Sequence, residues 1–234
     1  MPVNIEKYKE IINELSKQQV TLVAVSKTKP NKDITDLYDL GQRDFGENYV
    51  QELVDKHAAL PKDIRWHFIG HLQSNKVKYI APFVHLIHGV DSFKLLQEIN
   101  KQAAKCNRVI DCLLQVHIAQ EETKFGMDEA ELDEASKQIS GLVNVRICGL
   151  MGMASFSEDA EKVRGEFRKL KTLYDRFSPL SIVHSPLTID QSQSTMDYLP
   201  WTTLSMGMSG DYPMAIEEGS TMVRIGSLLF GMRS

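Results

Sequence analysis

The feature that most constrains the fold is an alternation. Eight short apolar runs recur along the chain, and a helical pattern separates each from the next: Thr21–Val25, Asp44–Gly46, Arg65–Ile69, Val84–Gly89, Val109–Ile118, Val145–Met151, Thr202–Met206 and Met222–Ile225. Short runs that are apolar on both sides read as strands covered on both faces. The segments between them, Lys32–Leu40, Tyr49–Leu60, Ser74–Ile80, Ser92–Lys105, Asp128–Ile139, Glu158–Phe177 and Tyr212–Glu218, read as helices. Gly41 stops the first of these, and Ser92 is placed to cap another. An additional helix, Ile5–Gln18, opens the chain with Ile5, Tyr8, Ile11, Ile12 and Leu15 on one stripe. Strands joined by helices make a parallel sheet with helices on its faces. Eight such units in 234 residues predict an α/β fold: one domain over 1–234, a single (β/α)8 TIM-type barrel with an extra N-terminal helix. A doubly wound open sheet is the alternative, disfavoured because no Gly-x-Gly-x-x-Gly follows the first run.

Composition narrows the function. With 42% hydrophobic and 25% charged residues the chain can bury a full core, and at net charge −4 with no basic block it has no electrostatic footprint for nucleic acid or a membrane surface. No run approaches the roughly 20 apolar residues of a membrane helix. Met1–Lys7 shows neither a signal peptide's apolar core nor a transit peptide's bias, which points to the cytoplasm. The three cysteines, Cys106, Cys112 and Cys148, include no C-x-x-C, and the last two lie in apolar runs as buried thiols of a reducing compartment. His67 and His71 stand four apart, but Gly70 between them and the lack of a nearby carboxylate predict no metal site.

In such a barrel the chemistry sits at the C-terminal ends of the strands. There the sequence puts Lys27, then Gly46-Glu47-Asn48, Gly70-His71, Asp91, Met151-Gly152-Met153, Ser205 to Gly210, and Gly226-Ser227. Lys27 follows an apolar strand and precedes Pro30, which delays the next helix. A lysine short of water loses its proton more readily and can attack a carbonyl carbon. The glycines and serines after the last two strands suit a phosphate, because their amides can approach an anion closely. The pair describes a phosphorylated aldehyde held by a Schiff base at one end and an anion cradle at the other. Arg224 lies inside the eighth apolar strand, where an idle guanidinium is costly. It reaches either Glu217 or Glu218, or the pyridine nitrogen of pyridoxal phosphate. In the second case it disfavours a protonated ring, leaving a weak electron sink. Three classes stay open on residues alone: a cofactor carrier, a racemase-like enzyme, and a sugar-phosphate enzyme with a lysine Schiff base.

Six segments carry a resemblance: Val25–Pro30 (VSKTKP), Phe45–Glu52 (FGENYVQE), Trp66–Lys76 (WHFIGHLQSNK), Gly149–Met153 (GLMGM), Leu204–Ser209 (LSMGMS) and Gly219–Ser227 (GSTMVRIGS). They resemble the pyridoxal phosphate homeostasis proteins, which look like the barrel domain of alanine racemase standing alone. The resemblance implies pyridoxal 5'-phosphate held as an internal aldimine on Lys27, Arg224 at the ring nitrogen, phosphate contacts from Ser205, Gly226 and Ser227, and Asn48 and His71 lining the site. Met151 and Met206, at their strand ends, complete the candidate cofactor-binding set. The family's role implies a monomeric carrier that stores the cofactor and delivers it to apo-enzymes in vitamin B6 and amino-acid homeostasis, without substantial turnover. A mitochondrial pool stays open. The alternative is a pyridoxal-phosphate-dependent amino-acid racemase, which needs a second base that the resemblance assigns to a separate domain of alanine racemase. Two features are left over: the long stretch Ser181–Trp201, expected as a surface insertion, and Lys124, a candidate secondary site.

Overall fold

The computed structural model describes residues 3–119, 125–178 and 201–231. Eight parallel strands close on themselves in sequence order. They are β1 (Thr21–Val25), β2 (Asp44–Glu47), β3 (Arg65–Phe68), β4 (Leu86–Val90), β5 (Ile110–Gln115), β6 (Val145–Met151), β7 (Thr203–Ser205) and β8 (Met222–Ile225). Closure runs through β1 and β8, where Leu22 pairs with Val223, Val23 with Arg224 and Ala24 with Ile225. The open sheet is thereby excluded.

Nine helices accompany them among the described residues: α1 (Ile5–Lys17), α2 (Asn31–Asp39), α3 (Val50–Ala59), α4 (Val77–Ile80), α5 (Phe93–Lys105), α6 (Glu129–Gln138), α7 (Ala160–Phe177), α8 (Tyr212–Glu217) and α9 (Ser227–Phe230). Local chemistry starts several of them. Ser92 accepts the Leu95 amide ahead of α5, and Asp128 and Glu131 form a reciprocal capping box ahead of α6. The extra helix α1 is tied down where the Asn4 amide donates to Leu229 O at 2.8 Å. No described helix is long and apolar enough to cross a membrane.

The sequence boundaries shift in two instructive places. The fourth strand begins at Leu86, later than Val84. The fifth ends at Gln115 because Val116 bridges Met127 and the His117 amide donates to Met127 O, so beyond Gln115 the chain pairs with the segment leading into α6. The stretch expected as an insertion lies outside the described residues but for Trp201, as does Lys124.

Strand alternation sorts the side chains into two layers. Ala24, Phe45, Trp66, Ile87, Leu114, Leu150, Leu204 and Val223 face the helices and join the large outer core. Burying each large side chain contributes roughly 1.5–3 kcal/mol. The inner apolar cluster is small: Val23, Leu86, Leu113, Met151 and Met222. Polar groups share that interior, and they define the site.

Candidate functional site

Lys27 stands on the inner rim of the C-terminal mouth. The Ser26 amide donates to Gly46 O at 3.0 Å, carrying the β1 pairing one residue past the strand. Val23 faces inward and Ser26 outward onto Glu47, so the pleat sets half-buried Lys27 on the inner side. A buried cluster holds the turn. Lys56 Nζ, from α3, donates to Ser26 O at 2.8 Å, to Glu47 Oε1 at 2.8 Å and to Glu52 Oε1 at 2.7 Å. Glu52 Oε1 in turn accepts the Thr28 amide at 2.6 Å. The peptide groups on both sides of Lys27 are therefore tied to one ion-pair cluster. Thr28 sits in the left-handed region at φ +64°, a conformation that costs roughly 1–2 kcal/mol and that the Glu52 bond helps offset. Burial pushes the Glu47 carboxyl above its usual range against the pull of Lys56.

The rest of the rim converges on this point. A side chain at Gly226 would press on Val25 O at 3.2 Å, so the turn after β8 lies directly against the end of β1. The Gly226 amide donates to Ser209 Oγ at 3.2 Å, and Ser227 opens α9. Lys29 Nζ donates to Phe230 O at 2.7 Å, fastening α9 to the Lys27 turn. On the opposite side His71 Nδ1 meets Asp91 Oδ2 at 2.9 Å, and its ring stacks on Phe125 at 4.1 Å. Asn48 follows β2 with its Oδ1 buried and without a hydrogen-bond partner.

Arg224 is buried, 4% exposed. It donates to Ser205 Oγ at 2.6 Å and to Gly152 O at 3.1 Å. Burial pulls it down to about 10, a nearby Asp211 opposing. It does not reach Glu217 or Glu218, which are bound by Arg164 from α7. Met151 lies in the inner cluster. Met206 is a correction: its side chain packs in the outer layer, its amide donates to Met222 O and its carbonyl accepts from Ser220, so nothing of it faces the mouth. The physical reason is the pleat, which turns Ser205 inward and its neighbours outward.

The expectation for His67 is also corrected. Asp44 Oδ1 lies 3.0 Å from His67 Nε2, because β2 and β3 pair Gly46 with His67. Asp44, His67 and His85 offer ligand atoms within 4.8 Å of one another. Arg65, however, already binds both Asp44 oxygens, at 2.7 and 2.5 Å, so a cation would have to displace a guanidinium. Burial opposes ionisation of Asp44, yet its bonds to Arg65 and His67 hold it well below the usual carboxylate range. Sequence reasoning placed Glu47 and Ser209 at the rim without a specific role, and missed Glu52, Lys56 and His88. The signal for His88 and His67 was available: both are polar residues inside strands, the same anomaly that singled out Arg224.

A mouth that combines a rim lysine, glycine and serine turns and a buried arginine without a carboxylate partner among its described hydrogen bonds suits an anionic carbonyl compound. The model for the alanine racemase N-terminal domain matches residues 4–234. The pyridoxal phosphate homeostasis protein of Aquifex aeolicus is 44% identical over 91% of this chain and 86% of its own length. That of Synechocystis sp. is 39% identical over 97% of each, and that of Escherichia coli K12 is 37% identical over 93% and 88%. Among solved structures, PipY of Synechococcus elongatus without PLP superposes with TM-score 0.84 at 36% identity, covering 97% of this chain and 99% of PipY. With PLP bound the TM-score is 0.79, over 95% and 99%. Alanine racemase of Bartonella henselae shares the fold at TM-score 0.70 and 18% identity, this chain covering 60% of it. The geometry of the mouth and this likeness agree: the chain belongs to the alanine racemase N-terminal domain family and, within it, to the pyridoxal phosphate homeostasis proteins.

Proposed function

We propose that this chain binds pyridoxal 5'-phosphate at the C-terminal mouth and holds it for delivery to apo-enzymes, without substantial turnover of amino acids. Relatives named for pyridoxal phosphate homeostasis, and PipY with PLP bound, support the cofactor. The residues fit it. Asn48 Oδ1 is a buried acceptor with no partner, ready for a donor on the ring. Gly226 lies so close to β1 that a side chain there would crowd Val25 O at 3.2 Å, beside the Lys27 turn. When bound, the cofactor supplies an aldehyde that an amine can capture covalently.

The roles of the chain's own residues follow from position. Lys27 is the capturing amine. Glu52 and Lys56 hold its turn, so the amine starts from a fixed backbone. Gly226, Ser227 and the Ser209 turn take the phosphate. Ser205 acts through Arg224, since its hydroxyl is already engaged there. His71, oriented by Asp91, and Met151 line the ring. The carrier reading rests on Arg224. A buried guanidinium whose described hydrogen bonds go to neutral acceptors faces a ring nitrogen as a donor and opposes its protonation, so the ring draws electrons weakly. Removal of a substrate α-proton then gains little. We place the chain in the cytoplasm as one monomeric domain.

Borohydride reduction of the loaded protein followed by peptide mapping tests the attachment. The adduct is expected on Lys27, and Lys27→Ala is expected to lose the visible band. An adduct confined to another lysine, Lys124 included, overturns the assignment. Racemisation or transamination at about 1 per second or faster, within the ordinary enzyme range, overturns the carrier in favour of an enzyme.

A further inference from the structure

From Arg224 and Ser205 a line of polar groups runs on through the barrel interior to residues that the proposed function leaves unused. Arg224 Nη1 donates to Ser205 Oγ at 2.6 Å. Ser205 Oγ lies 3.1 Å from His88 Nδ1, His88 Nε2 lies 2.9 Å from His67 Nδ1, and His67 Nε2 lies 3.0 Å from Asp44 Oδ1. Arg65 binds both oxygens of Asp44. The line begins at the guanidinium beneath the mouth. It ends at the opposite face of the barrel, in an open cavity of about 450 Å3 lined by Asp44, Arg65, His67 and His85 among others. Ser205, His67 and His88 are each at most 1% exposed.

With Asp44 ionised and both rings neutral, one proton order satisfies every contact of this line. Arginine only donates, so Ser205 Oγ accepts that bond and its own hydrogen is free to go to His88 Nδ1. His88 then carries its hydrogen on Nε2 and donates to His67 Nδ1. His67 likewise carries its hydrogen on Nε2 and donates to Asp44. Burial, with the nearby Arg224 charge adding to it, keeps His88 neutral. The opposite order would set an unprotonated His67 Nε2 against a carboxylate oxygen, two acceptors at 3.0 Å. It requires a protonated Asp44, which the two Arg65 bonds oppose. The charge on Asp44 thus fixes the direction of every bond up to Arg224. Bonds aligned head to tail in a dry interior polarise one another, so part of that negative charge is felt at the guanidinium.

We propose that His88, His67 and Asp44 are positioning residues for Arg224: a proton-ordered relay that connects a carboxylate at the far face of the barrel to the group that meets the cofactor ring. Only the last step rests on the cofactor reading above. The relay accounts for a buried arginine whose described hydrogen bonds reach a hydroxyl and a carbonyl. It also accounts for two histidines and an aspartate inside a barrel whose inner face could have been apolar.

Two measurements test it. In the parent protein without added cofactor, 15N-histidine NMR at pH 7 is expected to show His67 and His88 both neutral with hydrogen on Nε2. In Asp44→Asn the group at the Oδ1 position still meets both His67 Nε2 and Arg65 Nε, so an amide oxygen is favoured there. That oxygen carries no charge, and the Nε2–H preference of both rings is expected to weaken. A parent His88 that is charged, or already Nδ1–H, overturns the relay, whatever the cofactor does. In the loaded protein, Asp44→Asn and His88→Phe are expected to shift the visible band. They are also expected to weaken retention of pyridoxal and of pyridoxal 5'-phosphate by the same factor, about five- to tenfold, the worth of one hydrogen bond. Arg65→Gln breaks the same ion pair but keeps the carboxylate, and should cost less than twofold. If Arg65→Gln costs as much as Asp44→Asn, the effect is general loosening and the relay is overturned. If the parent takes up no cofactor, the reading of the mouth fails while the tautomers still decide the relay.

Discussion

Near each end of the barrel an acid meets a base at almost the same distance. Beside the mouth Lys56 Nζ lies 2.8 Å from Glu47, with 6% and 0% of the two side chains exposed. At the other end Arg146 lies 2.6 Å from Asp111, with 52% and 20% exposed. Distance would rank the second pair higher, whereas burial reverses the order. An exposed pair gains little, because water solvates the ions as well apart as together. A buried pair cannot be split without stranding a charge. The two pairs also do different jobs. Asp111 and Arg146 cross-link neighbouring strands. Glu47 and Lys56 belong to the cluster that holds the peptide on either side of Lys27.

The comparison breaks most directly at Lys56. Lys56→Met strands Glu47 and is expected to cost about 3–5 kcal/mol in denaturant unfolding. The double variant Lys56→Met with Glu47→Leu should recover a large part of that stability, though not the shape of the Lys27 turn. A single variant within 1 kcal/mol of the parent would remove the contrast between the two ends.

Next in size is Gly70→Ala, also at the mouth. A Cβ there would stand 2.9 Å from Asn48 Cα and closer still to its carbonyl oxygen, both backbone atoms that cannot swing aside. The expected loss is about 1–3 kcal/mol, together with weaker cofactor uptake because Asn48 must move. An unchanged melting temperature with unchanged uptake would show that the mouth yields more easily than its close packing implies.

Acid sharpens the comparison through the interior. His88 is held well below the ordinary histidine range, first by burial and then by His67, Arg224 and His85. His57 and His85 are shifted the same way by burial. A depressed histidine contributes stability above its unfolded value near 6.5, and that stability is lost as pH falls. Stability should therefore drop between about pH 7 and 5, by at most about 1.4 kcal/mol per pH unit for each histidine still neutral in the fold. Asp44, also depressed, adds a further loss at lower pH, through its folded value. His88→Phe should flatten the slope measured by urea unfolding at several pH values. An equal slope in parent and variant would exclude His88 as the titrating group.

The smallest effect belongs to the far end. Arg146→Ala should change stability by about 0–1 kcal/mol, and less in high salt. A larger loss would mean that the cavity at that face is far less wet than its exposure indicates.

The sequence by itself determined the architecture. Strand and helix alternation is set by local apolar periodicity, so the barrel, its strand order and the rim position of Lys27 were all legible, and Arg224 stood out as a charge inside an apolar strand. The glycine and serine turns were legible for the same local reason. What only the tertiary structure decided is which side chains meet across strands. Met206 was misplaced because its direction depends on the pleat of a three-residue strand. Asp44 and His67 were read as strangers because the register of β2 on β3 is a long-range fact. Glu52 and Lys56 were given no role by the sequence, because their partners come from the end of β1 only once α3 folds against it. Ser205 and His88 meet in space although 117 residues separate them in the chain. Local pattern fixes where the backbone goes, whereas closure of the barrel fixes which polar groups must satisfy one another once water is excluded.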